Sequence, residues 1–232
     1  MTFIVAEIGV NWDGDIDLLK EMVCKAKEVG CNAVKFQAYN YDIVKNHPER
    51  NRLMNSTITH TNVKSINELA KNVGIEWFCT PMYPEAVNFL EPFVDKFKVR
   101  EVDGRPLLKN KISDLIRKIL DAKKEVFVSS QISPRNSKYY KNSDIKWLYC
   151  VPKYPCDISD LDFKNIKDFN GFSNHCPDLI APLTAKILGS EIIEVHMTSD
   201  KSSDFVDNNV SFDYDEMSKL VSLIRKAEKI KY

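Results

Sequence analysis

Residues 169–198 read FNGFSNHCPDLIAPLTAKILGSEIIEVHMT, and the pattern of this stretch decides the fold. Each of its two histidines closes a short apolar run that reads as a β-strand, Phe169–His175 and Glu191–His196. Between them Asp178–Gly189 carries a helical pattern that stops at a glycine. Strand, helix, strand is a βαβ unit, and its right-handed crossover brings both strand ends to the same edge of a parallel sheet. His175 and His196, 21 residues apart, therefore point into one opening from neighbouring strands. One such histidine is ordinarily a satisfied core residue. Two at matching strand ends also suit a first-row divalent metal.

The same alternation runs upstream. Phe3–Ile8 reads as a strand, and Asp15–Val29 then places Ile16, Leu18, Leu19, Met22, Val23 and Ala26 on one helical face, with Gly30 as its stop. Ala33–Gln37 is the second strand. Ala38–Asn62 is polar and aperiodic, too long for a plain connection, and reads as a functional loop. A helix over Val63–Val73 ends at Gly74. Strand Glu76–Cys79, helix Pro84–Leu90, strand Lys96–Val99, helix Leu107–Ala122 and strand Val126–Ser130 follow. Pro134–Ser143 is polar and short, so the fifth crossover helix is expected to be stunted. Trp147–Cys150 is the sixth strand, Asp160–Asp168 a short crossover, and Tyr214–Lys229 a last helix that turns Met217, Leu220, Val221, Ile224 and Ala227 inward. Eight strands with intervening helices predict an α/β protein, a single (β/α)8 TIM barrel occupying 1–232 as one domain.

Composition agrees. The 232 residues match the size of one such barrel. Lys+Arg 33 against Asp+Glu 33 leaves no formal net charge, which removes the electrostatic case for a nucleic-acid or membrane-surface partner. No apolar run reaches the roughly 18 residues of a transmembrane helix. The opening MTFIVAEIGVNWDG lacks a basic n-region, so a signal peptide is not expected. The six cysteines form no CxxC pair, and Cys79 and Cys150 lie in apolar runs that suit buried thiols, so a reducing cytoplasm is expected.

Working groups in such a barrel stand at the C-terminal strand ends. There the chain places Glu7 with Asn11 beyond it, Lys35 and Gln37, Thr80, Lys98 and Arg100 with Glu101 and Asp103 behind, Ser129 and Ser130, Tyr154, Ser173 and His175, then His196 and Thr198. A lysine in AVKFQ or FKV is expensive to bury without an anionic partner. Either lysine could form a structural ion pair with Glu7 or Glu194. Together with the hydroxyls they also make a cradle for a phosphate or carboxylate. Glu7 reads equally as a third metal ligand, a general base, or the structural partner of Lys35.

The segments AEIGVN (6–11), AVKFQ (33–37), CTP (79–81), FKV (97–99), YP (154–155), GFSNH (171–175) and IEVHMT (193–198) together resemble the catalytic barrel of the sialic acid synthases, the NeuB-like enzymes. Those enzymes condense phosphoenolpyruvate with an N-acylated mannosamine-type sugar. The resemblance spans essentially the whole chain. It implies that His175 and His196 bind manganese or a similar divalent ion, and that Lys35, Thr80, Lys98, Ser129 and Ser173 hold phosphoenolpyruvate. It further implies that Glu7, Tyr154 and Asp207 line the sugar site with Gln37 nearby. Asp207 is singled out only by this resemblance; alone it reads as a solvated loop carboxylate.

The departures are specific. Trp12 stands where the family has a histidine, and is expected either to reshape the sugar pocket or to pack on the rim. Arg100-Glu101-Val102-Asp103 replaces a small Ala-Ser-Gly-Glu run, so one phosphate-binding hydroxyl is missing and Arg100 is expected to bind the anion in its place. Pro152 replaces a polar residue. The family's C-terminal antifreeze-like domain, which takes part in its homodimer, has no counterpart before Tyr232. A separate cap protein, an enzyme that works without one, or a different acceptor are the alternatives. Three functions follow: a metal-dependent synthase of a sialic-type (nonulosonic) acid, a related synthase acting on a sugar phosphate through Arg100, Arg105 or Arg135, and a non-catalytic sugar- or phosphoenolpyruvate-binding subunit of polysaccharide biosynthesis.

Overall fold

In the computed structural model, which describes residues 1–230, β1 (Phe3–Glu7) pairs in parallel with both β2 (Ala33–Ala38) and β8 (Ile192–His196). The sheet therefore closes on itself. Around the ring, β3 (Glu76–Pro81), β4 (Lys96–Val99), β5 (Glu125–Ser130), β6 (Ile145–Tyr149) and β7 (Gly171–Asn174) follow in sequence order. This is the (β/α)8 barrel expected from the alternation of strand and helix patterns. The strands are buried along nearly their whole length, and Phe36, Phe78, Phe97, Phe127, Trp147 and Phe172 are fully covered. Each such side chain contributes roughly 1.5–3 kcal/mol by leaving water. Phe78 and Phe127 meet edge to face at 5.4 Å.

The helices fill the outer layer. In α1 (Ile16–Glu28) the Asp15 carboxylate accepts from the Asp17 and Leu18 backbone N–H groups, satisfying two donors that the first turn leaves open. Leu19, Met22, Val23 and Ala26 face the core as the period requires, whereas Ile16, in the first turn, is 43% exposed. The polar stretch after β2 is not structureless: it holds two short helices, α2 (Tyr41–Val44) and α3 (Arg50–Ser56). They pack Val44 and Leu53 with Val10 and Tyr39 into a second apolar cluster, apart from the barrel core. The helices α4 (Val63–Val73) and α5 (Pro84–Leu90) lie where the pattern puts them.

The expected single helix over Leu107–Ala122 is two helices, α6 (Glu101–Leu108) and α7 (Asp114–Asp121). Asn110 takes a left-handed backbone (φ 57°) and ends the run, and Ser113 caps the second helix. Leu107, Ile116 and Ile119 are nonetheless all buried, which is why the periodicity looked continuous. Within α6, Gly104 lies so close to the sheet that a Cβ there would stand 2.8 Å from Val128 Cγ1. The fifth and sixth connections hold only short 3₁₀ turns, as their polarity suggested. The last two helices are α8 (Ile180–Ile187) and α9 (Tyr214–Ala227), the latter burying Met217, Leu220, Val221 and Ile224. Among the described residues no helix is long and apolar enough to cross a membrane.

Candidate active site

A cavity of about 440 Å³ opens at the C-terminal ends of the strands. Twelve of the residues read from sequence line it, Glu7, Lys35, Gln37, Thr80, Lys98, Arg100, Ser129, Tyr154, Ser173, His175, His196 and Asp207, whereas Asn11, Asp103, Ser130 and Thr198 do not. The reason is register. Glu7 is paired across the ladder with Lys35 on one side and His196 on the other, and Ser173 with Glu194.

Its floor is a quartet of buried charges. Lys35 Nζ lies 3.0 Å from Glu7 Oε2 and 3.5 Å from Glu194 Oε1, and Lys98 Nζ lies 2.5 Å from Glu194 Oε1. Lys35 and Lys98 thus pair with the two carboxylates the sequence offered as partners. Gln37 Nε2 donates to Glu7 Oε1 (2.8 Å), Ser173 Oγ donates to Glu194 Oε1 (2.8 Å), Lys35 donates to Thr80 Oγ1 and Lys98 to Ser173 Oγ (both 3.3 Å).

The four charges are unequal. Burial pushes Lys35 down, but Glu194 and Glu7 together outweigh it and hold its pKa above the usual lysine value. Lys98 has one carboxylate and is repelled by Lys35, so burial keeps its pKa low. Burial also opposes ionisation of Glu194, yet the two lysines hold its carboxyl well below the ordinary range. Glu7 goes the other way, raised by burial and by repulsion from Glu194 despite Lys35. Glu194 and Lys35 are therefore the fixed charges, and Lys98 and Glu7 are the ones an incoming anion or cation can perturb. Ser129 Oγ and Glu194 Oε2 are buried with no hydrogen-bond partner, two polar groups at the cavity left open.

The histidine rings lie 5.5 Å apart, tilted by 58°. His175 Nδ1 donates to the Val151 carbonyl at 2.8 Å, which fixes the tautomer and leaves Nε2 as the free lone pair. Burial lowers the pKa of His175 to about 4, and burial followed by repulsion from His175 holds that of His196 well below the usual histidine value. Both imidazoles are neutral at neutral pH, the form that binds metal. His196 Nδ1 is buried without a hydrogen bond and stands 3.5 Å from Asp207 Oδ2. Among the described residues no group of three or more His, Cys, Asp or Glu side chains is set to hold a metal. The donor set thus fits an open, two-imidazole site whose other positions fall to water or substrate, and it does not fit a closed structural one. Glu7, engaged by Lys35 and Gln37, is not arranged as a third ligand. Tyr154 covers the pair, its ring 3.9 Å from that of His175 and edge-on to that of His196. Asp207 is pushed up to about 7 by burial and then by repulsion from Glu7.

Two clasps hold the loops around this chemistry. Asn11, buried, donates through Nδ2 to Met197 O (3.0 Å) and Ser211 Oγ (2.9 Å) and accepts from Asp207 N (3.1 Å), and Ser211 Oγ donates to Asp207 O (2.7 Å). Asn11 thus positions Asp207 from beneath and does not line the cavity. Arg52 ties the loop after β1 to the loop after β8, its Nη2 on Asp13 Oδ2 at 2.5 Å and its Nη1 on Asp204 O at 2.9 Å. Gly9 sits beside Glu7 with a left-handed backbone (φ 52°); a Cβ there would be 2.9 Å from Glu7 Oε1.

Several rim expectations are corrected. Ser130 Oγ turns to the Ile132 carbonyl, and Thr198 is buried outside the cavity. Trp12, 3% exposed, packs in the barrel core and does not reshape the pocket. Arg100 lines the wall, but its Nε and Nη2 both donate to Asp103 (2.6 and 3.1 Å). Arg105 is held in the same way by Glu101, and Arg135 pairs with Asp168 away from the cavity. Reading the sequence missed Val10, Leu53, Met82 and Val206, which form an apolar side of the same cavity. Their signal was present as isolated apolar residues in otherwise polar loops.

A model of the NeuB family matches residues 22–231. The chain is 31% identical to the N,N'-diacetyllegionaminic acid synthase of Legionella pneumophila, over 98% of this chain and 72% of that one. It is 30% identical to the pseudaminic acid synthase of Campylobacter jejuni, over 97% and 74%. The crystal structure of the N-acetylneuraminic acid synthetase of Leptospira borgpetersenii superimposes with a TM-score of 0.85 at 26% identity, covering 98% of this chain and 84% of that one.

Proposed function

The chain belongs to the NeuB family, and from that premise we propose that it is a carbon–carbon bond-forming transferase joining phosphoenolpyruvate to an open-chain N-acyl hexosamine of the N-acetylmannosamine kind. The product is a nonulosonic acid and the by-product inorganic phosphate. The observation that carries this reading is the quartet Glu7, Lys35, Lys98 and Glu194, buried against two neutral histidines in one cavity. Four ionisable groups inside a barrel are costly to bury, and packing gives no reason for them. The same set argues against a subunit that binds without turnover.

In this reading Lys35, Lys98, Thr80, Ser129 and Ser173 bind the phosphate and carboxylate of phosphoenolpyruvate. The open Ser129 hydroxyl gains a partner, and a dianion beside Lys98 restores the full charge that burial opposes. Arg100 keeps one nitrogen, Nη1, for the same anion. A divalent ion, manganese in our reading, held by His175 and His196 would supply Lewis-acid polarisation of the acceptor carbonyl. C3 of phosphoenolpyruvate attacks the aldehyde carbon, forming the new carbon–carbon bond, and the aldehyde oxygen takes a proton. Asp207, poised near neutrality beside His196, is the residue suited to hand over that proton. Positive charge develops at C2, where the Glu7 and Glu194 carboxylates lower its energy. Water then adds at C2, and the C2–O bond breaks to release phosphate and leave the keto acid. Tyr154 and Gln37 line the sugar side. The six cysteines, all free, support a reducing cytoplasmic setting.

The test is phosphate release by the purified protein with manganese, phosphoenolpyruvate and a panel of N-acyl hexosamines, with product mass read alongside. Release that needs both substrates and gives a nine-carbon acid is expected. Absence of release with every acceptor would refute the reaction.

A further inference from the structure

Cys156 and Cys176 lie outside the cavity. Cys156 stands in the loop after β6, two residues beyond Tyr154, and Cys176 follows His175 just past the end of β7. The Cys156 backbone N–H donates to the His175 carbonyl at 3.1 Å. That bond brings the two Cα atoms to roughly the 4.4–6.8 Å that a disulfide spans. The two thiols stand within hydrogen-bonding reach of one another. Cys176 is also held by Asn174, whose Oδ1 accepts the Cys176 N–H (3.1 Å) and whose Nδ2 donates to the Cys176 carbonyl (2.7 Å). Backbone bonds, not the sulfurs themselves, therefore set the pair.

Buried cysteines ordinarily serve as small apolar side chains. This pair differs in where it lies. Both thiols are covered, at 1% and 2% exposure, yet Pro155, Asp157 and Pro177 beside them in the chain are exposed. Opening either turn uncovers the sulfurs without disturbing a strand of the barrel. Cys79, inside β3, has no such route. The carboxylates of Asp157 and Asp178 face Cys176, whereas Asp160, near Cys156, is paired with Lys153 at 2.6 Å. An anionic reagent is repelled from such a place and an uncharged one is not.

We propose that Cys156 and Cys176 are a redox-active pair whose disulfide pins the Tyr154 loop to the end of β7 and holds it closed over the two histidines. A low-molecular-weight disulfide is the oxidant. One cysteine thiolate attacks a sulfur of the reagent, forming a mixed disulfide and expelling one thiolate. The second cysteine thiolate attacks the protein sulfur of that mixed disulfide, forming the Cys156–Cys176 bond and expelling the other. The two electrons end on the reagent, now two thiols, which carry the two protons the cysteines lost. In a reducing compartment the reverse exchange restores the pair, so the bridge is a transient state. Its effect on the site runs through Tyr154, whose ring lies 3.9 Å from that of His175. Bridging joins the chain two residues after the tyrosine to the residue next to the histidine, and the contact between the two rings can then no longer open freely. This geometry does not depend on the condensation argued above.

The experiment treats the purified, metal-free full chain with hydroxyethyl disulfide, which is small and uncharged. Intact mass, a peptide map and backbone hydrogen exchange are read before and after. A loss of two hydrogens with a peptide cross-linked between positions 156 and 176, reversed by dithiothreitol, is expected. Exchange of the amides in 151–157 should slow by about tenfold in the bridged protein, with that of β1 to β5 unchanged. Cys156→Ala and Cys176→Ala should each stop at a mixed disulfide with no slowing of exchange. Reduced and bridged forms are compared on the unaltered chain, so the result stands even where a variant folds poorly. No cross-link in the folded protein, a bridge between another two of the six cysteines, a bridge that forms only in urea, or one that leaves exchange over 151–157 unchanged would each overturn the proposal.

Discussion

Lys98 Nζ lies 2.5 Å from Glu194 Oε1, with 4% and 3% of the two side chains exposed. Such a pair adds little net stability over an apolar one, but breaking it leaves a bare charge in the barrel. Glu194→Gln is therefore expected to lower unfolding free energy by about 3–5 kcal/mol, read from urea titration. Adding Lys98→Met should recover at least half of that loss while leaving the protein inactive. A double variant as unstable as the sum of its parts would show that the two groups are not coupled.

Ser129 Oγ is buried with no partner in the ligand-free cavity. If it hydrogen-bonds the phosphoenolpyruvate anion, Ser129→Ala should raise KM for phosphoenolpyruvate about tenfold, the effect of a charge-assisted hydrogen bond worth roughly 1.5 kcal/mol. Stability should fall little, because the hydroxyl approaches only the Cys150 thiol, a weak partner. A loss of Tm with KM unchanged would give the hydroxyl a structural role instead.

The neutral histidines carry a pH signature. His175 titrates near 6.5 when unfolded and at about 4 when folded, so the unfolded chain takes up a proton first as pH falls. In metal-free protein this group costs nothing above pH 6.5, then lowers stability progressively down to its folded pKa, by up to about 3 kcal/mol. His175→Ala should flatten that part of the stability–pH curve. It should also abolish the manganese signal bound to protein in electron paramagnetic resonance, and the chelator-sensitive activity with it.

Gly9 combines a positive φ with a 2.9 Å approach to Glu7 Oε1. Gly9→Ala should cost about 1–3 kcal/mol of stability through the backbone. The added methyl should also displace Glu7 or Gln37, so kcat/KM is expected to drop by more than tenfold even at temperatures where the variant is fully folded. Retained activity in the folded variant would show that the reaction does not need the Glu7–Gln37 contact held in this geometry.

The barrel was legible because its strands are short, apolar and regularly spaced, and the cavity-lining residues because register puts every strand end on one rim. Lys35 and Lys98 were conspicuous as charges inside apolar strands. What the sequence hid was direction and partnership. Ser129 and Ser130 are neighbours in the chain, yet alternation sends one hydroxyl to the cavity and the other to a backbone carbonyl. Asn11 looked like a rim polar group and is a clasp, because its partners lie near residues 197–211. The break between α6 and α7 depends on one left-handed asparagine that leaves the apolar period intact.

The pairing of β1 with β8 sets the order in which the protein can be put together. Glu7 is translated almost at once, but its neighbour His196 and the Asp207 loop held by Asn11 emerge nearly two hundred residues later. Until then the nascent chain carries an unclosed sheet whose first strand has one edge unpaired, and Lys35 and Lys98 lack their shared partner Glu194. Any binding at this rim needs the finished ring: a partly synthesised or cleaved chain lacking β8 has neither the histidine pair nor the seam that shapes it. Occupancy of the site then reports completion of the fold as a whole, and a ligand that binds there stabilises the closed ring over any open form.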